Sequence, residues 1–282
     1  MSDEPRAPAL AGQPVDNIAL NLFLEALYQR HGYDFRNYAK ASIKRRVRAL
    51  AEFAQRSSIA ELIAPTLNEP EFLTTILQHL SLPVTEMFRD SSVFKSLREQ
   101  VVPYLKSYSR LQIWQAGCAS GEEVYSLAIL LEEAGLLDRV QIYATDINDT
   151  ALHQAEEGIF SASRLDEYER NYIQAGGTRA LSDYYVATAG FFRIHERFRK
   201  RIVFAHHNLV TDNVFCETQL VLCRNVLIYF ESSLQNRVLR LFHDSLCRHG
   251  FLCLGTKESL RSAESADLFT DFDRANMIFR SK

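Results

Sequence analysis

The sequence contains no CxxC pair, no HExxH and no run approaching 18 consecutive apolar residues. The first two absences remove the common zinc and redox signatures, and the third removes a membrane-spanning helix. No leader of basic then apolar residues opens the chain. Five cysteines, at 118, 216, 223, 247 and 253, therefore read as reduced thiols of a cytoplasmic protein, not as disulfides or metal ligands. His206 and His207 are adjacent, so on a strand they point to opposite faces, and no metal is expected. Net charge is −3, which gives no general field for nucleic acid. No internal repeat is present. What the chain has in quantity is apolar: 47% hydrophobic residues over 282 positions, enough for one large or two modest packed domains.

The organising stretch is Leu111–Glu123, LQIWQAGCASGEE. Leu111, Ile113 and Trp114 form a strand, Ala116–Gly121 a turn of small residues, and Val124–Ala134 a helix with one apolar face. Strand, glycine turn and helix together present backbone N–H groups to a ligand at a sheet edge. Glu122 and Glu123 stand where the pyrophosphate of a dinucleotide would lie. The N-terminal end of a helix favours anions, but two carboxylates there repel phosphate and suit a cation or hydroxyl. S-adenosylmethionine, with an amino group and a sulfonium and no phosphate, matches better than a nicotinamide dinucleotide. The next strand, Val140–Thr145, ends at Asp146, a position that commonly binds ribose hydroxyls; the same side chain could instead cap the helix near Asn148.

In chain order, residues 1–14 are rich in Pro and Ala and read as a disordered tail. Residues 15–80 read as a helical domain. Its first helix, Val15–Arg30, is expected to turn Ile18, Leu22, Leu24 and Leu27 inward. Its second, about 39–55, buries Ile43, Val47, Leu50 and Ala54 and turns Lys44, Arg45 and Arg48 outward. Short helices follow at Ile59–Ala64 and Glu71–Leu80, divided by Pro65 and Pro70. From Arg36 to Arg56 seven basic residues face one acid, Glu52, while the rest of the chain is acidic. This basic face suits either solvent or an acidic partner. Residues 81–110 read as a connecting segment and helix, with Thr85 as a cap and a break near Pro103.

From Leu111 strands and helices alternate, which predicts a parallel sheet in an α/β domain over 111–282. Residues 158–201 interrupt the rhythm and read as an inserted subdomain with short strands at Asp183–Ala187 and Phe191–His195. The sheet resumes at Ile202–Ala205, Gln219–Cys223 and Phe251–Leu254, followed by a closing hairpin. The turn at 116–121, Asp146, Asn208 and Arg224–Asn225 all fall at strand carboxyl ends, where ligands of such sheets bind.

The ordered segments TEMFRD, AGCASGEEVYSLA, ATDIN, HNL and CRNVLIYF resemble the chemotaxis receptor methyltransferases, the CheR family. The likeness covers about residues 15–280. It implies a small all-helical N-terminal domain plus a Rossmann-like class I methyltransferase domain carrying a small β-subdomain. It implies S-adenosylmethionine as cofactor, S-adenosylhomocysteine as product, and glutamate methyl esters on the cytoplasmic helical bundle of chemoreceptors as the result. By resemblance Thr85, Arg89, Gly117, Glu123, Asp146, Asn208, Leu209, Arg224 and Asn225 contact the cofactor. By the same resemblance Arg89 and Tyr229 lie nearest the transferred methyl; apart from it, the basic face of Lys44, Arg45 and Arg48 is expected to dock the receptor. Pro83 stands where the family often has Asn. The insertion differs from the receptor-tail-binding version.

A carboxylate is already a nucleophile at neutral pH, with a reference pKa near 4.3 for Glu, so the absence of a Ser-His-Asp or Cys-His arrangement agrees with this chemistry. Arg89 could instead pair with Glu86 or Asp90, and Tyr229 could pack beside Phe230. Two alternatives stay open: a non-catalytic module binding S-adenosylmethionine or S-adenosylhomocysteine, and a carboxyl methyltransferase for small molecules. A monomer is expected.

Overall fold

The computed structural model describes residues 14–81, 85–260 and 264–282. Most of the expected tail, and Pro83, lie outside the described residues. The chain divides into two units, one of residues up to 36 and 40–80, the other of residues 37–39 and 81–282.

The first unit is all-helical. Helix α1, Val15–His31, ends at Gly32, whose φ of 79° lets its N–H turn back to the Tyr28 carbonyl. Its core face is Ala19, Leu20, Phe23, Leu24 and Leu27. Ile18 and Leu22, expected inside, are 46% and 55% exposed. The helix is apolar on two faces, and the face with five apolar residues around Phe23 takes the core over the stripe of Val15, Ile18 and Leu22. Helix α2, Lys40–Phe53, buries Ile43, Val47, Leu50 and Ala51; Ala54 falls past its end. Helix α3, Ile63–Asn68, runs through Pro65 instead of stopping there, because Pro65 sits in the first turn, where a missing N–H costs no bond. Helix α4, Phe72–Leu80, closes the unit.

The second unit begins with α5, Ser91–Ser96, a π-turn over Leu97–Val101, and α6, Val102–Leu105. Pro103 has no N–H to continue the regular ladder, which accounts for the re-spaced turn before it. Thr85 does not cap this helix. Asp90 is the N-cap residue, in left-handed conformation at φ 52°.

The sheet elements are β1 (Leu111–Ala116), α7 (Glu122–Glu133), β2 (Val140–Asp146), α8 (Asp149–Glu157), β3 (Ile159–Ser161), α9 (Leu165–Gln174), β4 (Tyr185–Thr188), β5 (Phe191–Ile194), α10 (Glu196–Arg199), β6 (Ile202–His206), β7 (Thr218–Cys223), α11 (Ser232–Ser245), β8 (Leu246–Leu254), β9 (Phe269–Asp273) and β10 (Ile278–Ser281). Seven strands form one sheet in the order β6-β2-β1-β7-β8-β10-β9. The first five are parallel, and the β9–β10 hairpin joins antiparallel to β8. The second unit is thus built on a Rossmann-like sheet, and the first unit is all-helical. The insertion is a three-stranded antiparallel sheet, β3-β5-β4. Its β3 is too short to announce itself in sequence. Strand β8 starts at Leu246, ahead of the expected Phe251, and α11 stops at Ser245.

Because helices cover both faces of the parallel part, β1 and β7 are buried on both sides. Successive strands run outward from β1 in opposite directions, through β2 to β6 and through β7 to β8. Their carboxyl ends therefore surround one crevice at that switch point.

Candidate active site

The turn after β1 is pinned before it reaches the helix. Gly117 and Cys118 both donate N–H bonds to the Thr145 carbonyl at the end of β2, at 2.8 and 2.9 Å. Gly117 has φ 71°, and a Cβ there would meet Val226 Cγ2 at 2.5 Å. The turns after β1 and β7 consequently pack against each other at a spacing only glycine permits. Gly121 precedes α7 at φ 94° and touches Ala155 in the same way.

Asp146 closes the turn from β2. Its Oδ2 accepts from the Ala119 N–H at 2.9 Å and its Oδ1 from the Asn148 N–H at 3.0 Å. Each carboxylate oxygen keeps a further lone pair. The helix-capping role falls to Asn148, whose side chain accepts from the Ala151 N–H at 3.1 Å. Enclosure by protein raises the Asp146 carboxyl above its usual range, against the opposing effect of its backbone bonds.

Glu122 and Glu123 are both buried at the start of α7, yet they do different things. Glu122 takes a hydrogen bond from Ser120 Oγ at 2.6 Å, and burial raises its carboxyl. Glu123 accepts from Gln115 Nε2 at 2.8 Å and is ion-paired with Arg224 Nη1. The Arg224 guanidinium also binds Asp90 Oδ2 through Nη2 at 2.6 Å. Desolvation of this buried group is outweighed by its anionic neighbours together, Glu123 first and Asp90 and Glu258 among them, so its pKa is pushed above its usual range. One buried cation thus sits between two carboxylates, and the cluster carries a net negative charge. Arg224 Nε and Asn225 Oδ1 are buried without a hydrogen-bond partner among the described residues.

Arg89 is half-buried beside this cluster in sequence, between Phe88 and Asp90, which both have φ 52°. Non-glycine residues in that region are strained and persist only where surroundings hold them. Here the Phe88 N–H is held by Ser126 Oγ at 2.9 Å, and its ring is enclosed by Phe94 and Tyr172. The Met87 carbonyl accepts from Asn171 Nδ2 at 3.1 Å. The acids that could have neutralised Arg89 are engaged elsewhere, Glu86 with Arg164 at 2.7 Å and Asp90 with Arg224. Thr85 contributes its carbonyl to Arg164 at 3.3 Å.

Asn208 and Leu209 are buried after β6; the Asn208 side chain accepts from the Val210 N–H at 3.0 Å and so shapes its own turn. Asn225 adopts φ 62° after β7. Tyr229 ends the following 3₁₀ turn, Leu227–Tyr229, and its carbonyl accepts the Ala39 N–H at 2.8 Å. Phe230 stacks edge-on against Tyr38 with ring centres 4.9 Å apart. Of the two histidines, His206 meets Asp149 at the surface while His207 is buried against Trp114.

Sequence reasoning named Asp90 only as a partner for Arg89, where the structure pairs it with Arg224, and missed Gln115, Ser126, Thr256 and Glu258. Their partners lie up to a whole domain away in sequence, so pairing gave no signal. Only Glu258 had one: it follows β8, another carboxyl end of the parallel sheet.

On the helical unit, Arg45 and Arg48 are exposed and Lys44 half-exposed. Lys44 donates to Asn17 Oδ1 at 2.6 Å, and Arg48 is ion-paired with Asp16. Among the described residues, no helix is long and apolar enough to cross a membrane, and no group of three or more His, Cys, Asp or Glu is arranged to hold a metal ion.

Residues 18–81 match the all-α domain of the CheR methyltransferases, and residues 83–275 match their S-adenosylmethionine-binding domain. Cher3 of Pseudomonas putida is 48% identical over 265 residues, covering 94% of this chain and 97% of the relative. A chemotaxis protein methyltransferase of Listeria innocua is 30% identical over 246 residues, covering 85% and 89% respectively. Chemotaxis protein methyltransferase 1 of Pseudomonas aeruginosa is also 30% identical, over 74% of this chain and 73% of its own length.

Proposed function

Because the chain belongs to the CheR family of S-adenosylmethionine-dependent methyltransferases, we propose that it esterifies glutamate side chains on the cytoplasmic helical bundle of a chemoreceptor. The names of its chemotaxis relatives support that substrate.

The site fits the cofactor by charge. Glu123, Arg224 and Asp90 leave an excess of one carboxylate, with Glu122 and Asp146 nearby in sequence and fold. S-adenosylmethionine brings an amino group and a sulfonium and no phosphate, and so meets this field favourably. Asn225 Oδ1 is an acceptor in want of a donor. On this reading Asp146 receives the ribose hydroxyls. Glu123, Arg224 and Asn225 face the methionine part, Gly117 lets the backbone approach, and Asn208 and Leu209 flank the adenosine. Bound, the cofactor supplies an electrophilic methyl carbon.

The observation that carries the catalytic assignment is that Arg89 is held between two strained residues while both neighbouring acids are paired elsewhere. A guanidinium so placed is free to grip an incoming carboxylate with two parallel hydrogen bonds. On the same reading Tyr229 supplies a hydroxyl near the transferred methyl. The glutamate oxygen forms the new bond to the methyl carbon while the carbon–sulfur bond breaks and its electron pair stays on sulfur. No proton moves, so no general base is required; positioning and electrostatics are the levers. Lys44, Arg45 and Arg48 are the proposed contact for an acid-rich receptor helix.

The test is incubation of chemoreceptor cytoplasmic fragments with the protein and methyl-labelled S-adenosylmethionine. Label on the receptor that mild base releases as methanol supports the proposal. Binding of cofactor without transfer to any receptor, or transfer only to small acids, would overturn it.

A further inference from the structure

Glu258 follows β8 and is 4% exposed. Its Oε2 accepts the N–H groups of Gly255 at 2.6 Å and Asn225 at 3.1 Å, and its Oε1 accepts the N–H of Ile228 at 3.3 Å. No cation lies within ion-pair distance of it among the described residues. A buried carboxylate whose hydrogen bonds all come from backbone amides is costly, and burial raises its pKa in spite of those bonds. Packing would be served more cheaply by an uncharged side chain, so the charge needs another reason.

We propose that Glu258 is a positioning residue for methyl transfer: its carboxylate fixes the Asn225–Ile228 turn and thereby the place of Tyr229. The proposal rests on the assignment of Tyr229 made above. Asn225 is held left-handed at φ 62°, a conformation that costs a non-glycine residue free energy, and Glu258 secures its N–H. From the other side Asn37–Ala39 hold the chain just beyond, through Ala39 N–H to the Tyr229 carbonyl and Glu231 N–H to the Asn37 carbonyl at 2.9 Å. Gly255 completes the clamp, since a Cβ there would lie 2.8 Å from both Asn225 N and Glu258 Oε2. The same loop reaches the other candidate, because Thr256 Oγ1 donates to Asp90 Oδ2 at 3.4 Å, next to Arg89. One short loop therefore supports the neighbours of both Arg89 and Tyr229.

A double-mutant cycle between Glu258→Gln and Tyr229→Phe tests this. The glutamine oxygen can keep the Gly255 and Asn225 bonds, but its NH₂ then opposes the Ile228 N–H. Receptor turnover should fall about 10–100-fold, as for a misplacement near 1 Å. The receptor KM and the calorimetric Kd for S-adenosylhomocysteine should stay within about threefold. Amide exchange at Ile228 should quicken. In the Tyr229→Phe background, Glu258→Gln should cost no more than about twofold, since residues acting as a unit are not additive. Losses that multiply would overturn the proposal. Tyr229→Phe with intact turnover would overturn the Tyr229 assignment itself, a result distinct from multiplication. Gly255→Ala keeps the carboxyl group but forces it and the Asn225 N–H away from the added Cβ, so it should reproduce the turnover loss. Wild-type turnover in that variant, alongside a Glu258→Gln protein that fails to fold, would make Glu258 purely structural and end the proposal.

Discussion

Asp90 Oδ2 lies 2.6 Å from Nη2 of Arg224, whose side chain is wholly buried. The residue following Arg89 is thereby fastened to the turn after β7, and through Arg224 to Glu123 on α7. The candidate substrate-binding arginine and the candidate cofactor site share one ion-paired frame, although Asp90 and Arg224 lie on opposite sides of most of the α/β domain in sequence.

Arg89→Ala should lower turnover on receptor far more than it weakens S-adenosylhomocysteine binding, because Arg89 is assigned to the incoming carboxylate. Arg89→Lys should restore turnover only in part, since an ammonium lacks the planar fork. Steady-state kinetics beside calorimetry checks both; equal loss of turnover and affinity would reassign Arg89 to the cofactor.

Asp146→Ala should weaken S-adenosylhomocysteine binding by about 1–3 kcal/mol, as for loss of a buried charged hydrogen-bond partner. The pH dependence follows from the raised carboxyl. The ionised form accepts from hydroxyls, so affinity should be full above its raised pKa and fall as pH drops through it, at a pH above 3.8. Calorimetry on Asp146→Asn should lose that dependence while any contribution from Glu122 remains.

Glu133, at the end of α7, binds Arg98 at 2.6 Å, Tyr172 at 2.6 Å, Tyr184 at 3.0 Å and Thr178 at 3.1 Å. Burial alone would raise its carboxyl, but these bonds outweigh it and the net shift is downward from 4.5. A depressed folded-state pKa gives stability that is complete above the unfolded value and is lost as pH falls through the folded one. Glu133→Gln should lower unfolding free energy by about 1–3 kcal/mol at neutral pH. Urea titrations should show the gap between variant and wild type closing below pH 4.5.

The basic face of α2 is less free than composition suggests, because Arg48 pairs with Asp16 and Lys44 with Asn17. Arg45→Glu should therefore raise the receptor KM more than Arg48→Glu does. The triple change at 44, 45 and 48 should remove the salt dependence of activity, which is screened over about 8–10 Å, and leave S-adenosylhomocysteine affinity unchanged. A triple variant that matches wild type at low salt would make this face a solvated surface only.

The order of sheet elements was legible because strand and helix periodicities differ and glycine marks the turn at 117–121. The candidate site was legible as positions, since the turn, Asp146, Asn208 and Arg224–Asn225 all follow strands. Its wiring was not. The capping choice between Asp146 and Asn148, and the sharing of Arg224 between Glu123 and Asp90, depend on distances that only the folded chain sets. Residues Ile18 and Leu22 were misplaced because α1 has two apolar faces and periodicity alone does not rank them. The start of β8 at Leu246 was missed because the helical pattern of α11 runs on in sequence past Ser245.

The central claim is transfer to a glutamate carboxylate, and its most direct measurement is peptide mapping by mass spectrometry. Receptor cytoplasmic domain is treated with the protein and S-adenosylmethionine and then digested. One added methyl on glutamate side chains, absent after Arg89→Ala and removed by mild base, is the predicted result. A methyl on nitrogen, or an unmodified receptor from an enzyme that consumes S-adenosylmethionine, would contradict it.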